Sequence, residues 1–161
     1  MIKSKTPSHA RASLLDRLVD LDPGSEGELR PLRTLTGEEL KKSVRRDLQW
    51  LLNTRTSAPG NLIDEHELTV IEYGMPDFGA YSPENPDHCL LLTKRITRSI
   101  SAFEPRLKNV KVLVEPEMLD EKTLKVRVDA EMIMETVTEP VSFETVFQHQ
   151  TGTWELHERT Q

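Results

Sequence analysis

Cysteine is nearly absent: Cys89 stands alone among 161 residues. No internal disulfide can form, which suits a reducing compartment. Long apolar runs are missing too. Nothing approaches the roughly 20 residues that span a bilayer. The basic start Met1-Ile2-Lys3-Ser4-Lys5 leads into no apolar signal segment. The expectation is a cytoplasmic chain with no direct membrane insertion. Phosphate-binding glycine patterns are lacking, because Gly74 and Gly79 carry neither a Gly-Lys-Ser/Thr sequence nor a dinucleotide fingerprint. The histidines at 9, 66, 88, 149 and 157 have no metal-ligand spacing. No metal and no cofactor is expected. No repeat or low-complexity tract is visible.

What is present is a charged, modestly apolar chain. Apolar residues make up 36% and charged residues 30%. The length suits one domain with a core of its own and an appended terminal arm. The net charge is −6 and unevenly spread: +3 over residues 1–55, −2 over 56–114 and −7 over 115–161. An acidic final third argues against a nucleic-acid partner.

Residues 8–21 read as a short helix capped by Ser8, with an apolar stripe of Leu14, Leu15, Leu18, Val19 and Leu21. A Pro/Gly linker follows at Asp22-Pro23-Gly24-Ser25-Glu26-Gly27. Residues 1–35 therefore read as a helical arm, either folded back on the core or docking on a partner. Residues 36–161 read as the main domain. Thr36 and Glu39 form a capping box opening a helix over 37–55, with Leu40, Val44, Leu48 and Leu51 on one face and Leu52 and Trp50 widening it. Arg45 and Arg46 read as a solvated face, with partner binding the minority reading. Gly74 to Gly79 read as a tight loop. Pro86 opens a second helix over 86–103, lined by Leu92, Ile96, Ile100 and Phe103 with help from Cys89 and Leu90.

Phe103-Glu104-Pro105-Arg106-Leu107 marks the change from helical period to strand alternation. Pro105 ends the helix near Phe103. Glu104 and Arg106 are positioned to pair and clamp this corner. Three strands follow, at about 107–115, 124–136 and 141–150, with a turn at Glu139-Pro140. The fold class is α+β: an antiparallel meander packed on two main helices. Three strands leave two edges, and the last strand carries Phe143, Thr145 and Phe147.

Catalysis has little support. The chain has 27 acids, so carboxylate pairs abound, but none is singled out in an apolar cleft. Glu104 is the best placed, and Arg106 beside it is a poor neighbour for a group that must hold a proton. Cys89 lies on an apolar helix face and reads as core.

Several of these segments resemble one family. They are Leu14-Leu15-Asp16-Arg17-Leu18, the helix from Ser43 to Arg55, the loop Tyr73-Gly74-Met75-Pro76-Asp77-Phe78, and Phe103-Glu104-Pro105-Arg106-Leu107. In that order they resemble the TssE family, the baseplate wedge subunits of bacterial type VI secretion. That family is similar to a contractile-phage wedge protein carrying a misleading lysozyme label. Gln49 and Met75 depart from the pattern only conservatively. The resemblance implies a structural, non-enzymatic role at a baseplate docked to the inner-membrane complex. It implies the wedge partners TssF, TssG and TssK, and a sheet to which the sheath subunits TssB and TssC add strands. Partner contacts would then involve Leu14, Leu15, Arg17, Leu18, Arg45 and Arg46, and Phe143, Thr145 and Phe147 on the last strand, the expected docking edge. The alternative is a lysozyme-like peptidoglycan hydrolase.

Overall fold

A computed structural model describes residues 9–19, 34–57, 67–78, 81, 84–116, 123–135, 137–148 and 151–158. In chain order the elements are β1 (His9–Arg11), α1 (Leu14–Leu18), β2 (Thr34–Thr36), α2 (Gly37–Asn53) and a 3-10 turn (Val70–Glu72). They continue with α3 (Pro86–Phe103), β3 (Leu107–Pro116), β4 (Thr123–Ile133), β5 (Thr138–Gln148) and β6 (Thr153–Glu158). β3 to β6 form an antiparallel sheet in sequence order, and β1 and β2 form a separate two-stranded sheet. The fold is α+β, as the periodicities predict.

The sheet has one apolar face and one charged face. Leu124, Val126, Val128, Ala130 and Met132 of β4 are all buried, as are Val141, Phe143, Thr145 and Phe147 of β5. Their alternates lie on the other face, where Lys125 reaches Glu144 at 3.6 Å and Ser142 donates to Asp129 at 2.7 Å. The two long helices complete the core. Thr36 and Glu39 form the expected capping box on α2, which buries Leu40, Val44, Leu48, Leu51 and Leu52. Asn85 caps α3 by accepting from the Asp87 amide at 2.9 Å, and Pro86 occupies the first turn. Trp50 and Leu90, counted with the apolar stripes, are instead 48% and 69% exposed.

The glycine loop fills the core from the side. Met75 and Phe78 are 0% and 1% exposed. Gly74 lets the loop approach α2, where the Met75 amide donates to the Thr54 carbonyl at 2.8 Å and the Thr56 amide to the Met75 carbonyl at 3.1 Å. Gly74 has a φ of 113°, and a Cβ there would lie 2.6 Å from the Thr54 oxygen.

Four sequence expectations change. The helix expected over 8–21 is a strand followed by five helical residues. Ser13 caps α1 by accepting from the Asp16 amide, while His9–Arg11 pairs with Thr34–Thr36 and buries Ala10. The expected cap Ser8 and the linker at 22–27 lie outside the described residues. The meander has a fourth strand, β6, reached through a turn in which Gly152, at φ 65°, donates to the Gln148 carbonyl. Glu139-Pro140 is not a turn. The turn is Met134–Val137, closed by paired amides, and Glu139 and Pro140 sit inside β5. Proline is tolerated there because β6 pairs with β5 only from Phe143 onward, so the missing N–H faces no described neighbour. Finally, the strand carrying Phe143, Thr145 and Phe147 is interior, between β4 and β6, and those side chains are core. The sheet ends on β3 and β6. Among the described residues no helix is long and apolar enough to cross a membrane.

Candidate functional site

The corner after α3 is built around one carboxylate. Glu104 caps the helix: its amide donates to the Ile100 carbonyl at 2.9 Å. Pro105 then turns the chain outward, and Arg106 folds back. Glu104 is 3% exposed and needs a partner. Arg106 supplies it. Its Nε donates to Glu104 Oε1 at 2.6 Å, its Nη2 to Oε2, and its backbone amide to Oε1 at 3.2 Å. Both carboxylate oxygens are thus engaged by a bidentate arginine.

Arg106 also reaches α2. Its Nη2 donates to Asp47 Oδ2 at 2.6 Å and its Nη1 to Ser43 Oγ at 2.9 Å. Burial opposes the charge on Arg106, but Glu104 and Asp47 outweigh it and hold the guanidinium protonated above its ordinary range. The network continues outward. Arg46 donates to Asp47 Oδ1 at 3.0 Å through Nε and pairs with Asp16 at 2.7 Å. Ser43 Oγ donates to Asp16 Oδ2 at 2.8 Å, and Ser13 Oγ donates to the same oxygen at 2.7 Å. Glu104, Arg106, Asp47, Arg46 and Asp16 therefore alternate in sign, linking the corner, α2 and α1. For Asp16, burial raises the pKa, but the bonds from Ser13, Ser43 and Arg46 outweigh it and hold the carboxyl below its ordinary value.

Beside this network lies a cleft of about 500 Å³. Leu15 and Ala12 form one wall, Leu48, Trp50 and Leu51 another, and Tyr73, Phe103 and Pro105 the rest. Arg11, Ser13, Asp47, Glu104 and Arg106 supply its polar lining. Tyr73 packs edge-on against Phe103 at 5.2 Å, and the Arg46 guanidinium lies 5.0 Å from the Trp50 ring centre. Such a cleft can receive apolar side chains beside fixed charges. The carboxylates of Glu104 and Asp47 are both engaged by arginines.

The structure gathers Glu104, Pro105, Arg106, Leu15 and Arg46 here. Leu14 and Leu18 lie on the outer face of α1, 69% and 72% exposed, and Arg17 is exposed beside them. Arg45 is half-buried on α2. Phe143, Thr145 and Phe147 are elsewhere, inside the core. Sequence reasoning missed Ser13, Asp16, Ser43 and Asp47. The signal was a polar set at 43, 46 and 47, one helical turn apart on α2.

Residues 38–137 match the family model of baseplate wedge protein gp25. The chain belongs to that family. The match spans more than half of the sequence and runs from α2 through the corner to the β4–β5 turn. Membership gives the chain a structural part in a baseplate. Among solved structures, a chain of "The baseplate complex from the type VI secretion system" is similar at 17% identity, with a TM-score of 0.49, over 66% of this chain and 93% of that one. No curated protein matches. Among the described residues no cluster of three or more metal-ligating side chains occurs.

Proposed function

We propose that this wedge-family chain is a TssE subunit, a non-catalytic joint in the cytoplasmic baseplate of a type VI secretion system, docked to the inner-membrane complex. The outer leucines of α1 and the cleft beside the corner engage the wedge partners TssF, TssG and TssK. The sheet offers an edge to the first ring of TssB and TssC, so that the sheath grows by strand addition. The observation that carries this reading is an open four-stranded sheet, in a chain of the baseplate wedge family, braced against two helices by the buried Glu104–Arg106 pair.

Co-purification tests it. The wild-type chain should hold TssF and TssG on a column and seed TssB–TssC sheath. Leu14→Asp with Leu18→Asp should keep the melting temperature, because both side chains are mostly exposed, and lose wedge partners. Full wedge assembly by that double variant would remove α1 from the interface. A zymogram on purified cell wall should show no clearing band, and a band would restore the hydrolase reading.

A further inference from the structure

Little apolar packing holds α1 in place. The helix has five residues, none of them buried. A helix that short does not persist in water on its own backbone bonds. Here the Arg17 amide donates to the Ser13 carbonyl at 3.2 Å and the Val19 amide to the Leu15 carbonyl at 3.0 Å. Leu14 and Leu18 face solvent, and Leu15 is 42% exposed at the cleft. Apolar burial therefore contributes little to seating α1. Yet its outer leucines serve a partner best if the helix already holds one orientation.

Asp16 supplies the hold. Among the described residues it is the one α1 side chain that hydrogen-bonds another element. That side chain is 7% exposed, although Leu15 and Arg17 on either side are open to solvent. Its Oδ2 accepts from Ser43 Oγ at 2.8 Å, and its Oδ1 meets Arg46 Nη2 at 2.7 Å, both on α2. Ser13 grips the same carboxylate from the start of α1. The Ser13 hydroxyl donates to Oδ2 at 2.7 Å and accepts from the Asp16 amide at 3.1 Å. One residue thus completes the cap of a helix and ties that helix to α2. The tie has a direction. Ser43 Oγ accepts from Arg106 Nη1 at 2.9 Å, which leaves its single proton for Asp16. Arg46 is shared with Asp47, which in turn holds Arg106. Two relays therefore run from the Glu104–Arg106 corner to Asp16.

We infer that Asp16 is the latch of α1, a positioning residue that acts through Ser43 and Arg46 to hold Leu14 and Leu18 in place for the wedge partner. This rests on the wedge-docking role proposed above. With the latch closed, the leucines stand on an ordered helix. With it open, they lie on a segment that must be reordered on binding, at a cost in affinity.

Hydrogen exchange of the full chain tests this, read at Arg17 and Val19 on α1 and at Leu48 on α2. Asp16→Ala should speed exchange on α1 roughly tenfold or more and leave Leu48 at its wild-type rate. Ser43→Ala and Arg46→Ala each remove one α2 partner, so each should speed α1 less. Neither should add to Asp16→Ala when combined with it. Capture of purified TssF and TssG should weaken roughly tenfold in Asp16→Ala, although Leu14 and Leu18 are untouched. Equal α1 exchange in wild type and Asp16→Ala would overturn the latch. So would a rise shared by Leu48, which would make Asp16 a support of the whole domain. Undiminished capture by a chain whose α1 is released would overturn the positioning role. If wild type captures neither protein, the wedge-docking role fails, and exchange on α1 alone decides the latch. Should Asp16→Ala unfold, Ser43→Ala and Arg46→Ala decide by the same readout.

Discussion

Replacing Arg106 with alanine is the sharpest test of the corner. The side chain is 19% exposed and is the only one that hydrogen-bonds the Glu104 carboxylate among the described residues. Without it, Glu104 keeps one backbone amide donor, at 3.2 Å, and remains buried with its charge. Ser43 loses a donor, while Asp47 retains Arg46. Breaking a buried pair by removing one partner costs about 3–5 kcal/mol. For a domain of this size each kcal/mol shifts the melting temperature by about 2–4 °C. The expected loss is therefore roughly 6–20 °C by differential scanning calorimetry, with an unchanged urea m-value. Arg46→Ala is the milder comparison, with a smaller expected loss, because its side chain is 36% exposed and Asp16 keeps its bonds from Ser13 and Ser43. If Arg106→Ala melts within a degree or two of wild type, the clamp reading fails.

Gly74→Ala should destabilise by about 2 kcal/mol or more, because the new Cβ meets backbone and φ is unfavourable; a melting temperature equal to wild type would show that the loop gives way. Asn53→Ala should cost about 1–2 kcal/mol in urea unfolding, by leaving both outward groups of Trp154 unpaired. Asp16 has a lowered folded pKa, so its contribution is complete above its ordinary value of 3.8 and is lost as pH falls through the lowered one. The stability gap between wild type and Asp16→Asn should accordingly shrink on acidification below that value, and a constant gap would refute it.

The long periodic elements were legible because one local rule decided each of them. The Thr36–Glu39 box, Pro86 and the alternation from Leu124 to Met132 all acted within a few residues. Where distant partners decided, local reading failed. His9–Arg11 is a strand only because Thr34–Thr36 lies beside it. Pro140 reads as a turn until β6 is known to stop at Phe143. Glu104 and Arg106 were legible as a pair, since a single residue, Pro105, separates them. Their link to Ser43 and Asp47 was not, because it crosses about 60 positions of sequence. The same holds for Asn53: a polar residue at a helix end gives no sign that its carboxamide completes a strand over 100 positions away.

The corner also poses a question of economy in design. A buried ion pair is rarely the most stable filling for a given space, and apolar residues of similar volume often serve as well or better. Stability alone does not account for five alternating charges here. Geometry does. A bidentate arginine holds its carboxylates in one plane and at fixed distance, which an apolar cluster cannot do. Glu104 fixes the end of α3, Arg106 the start of β3, and Asp47 and Ser43 the middle of α2, so one guanidinium sets the angle between two helices and a sheet. The same β3 runs on from Arg106 as an end strand of the sheet. The cleft proposed for the wedge partners lies against that corner. The network thus sits between the two joints the chain is proposed to make, where stiffness matters more than added stability.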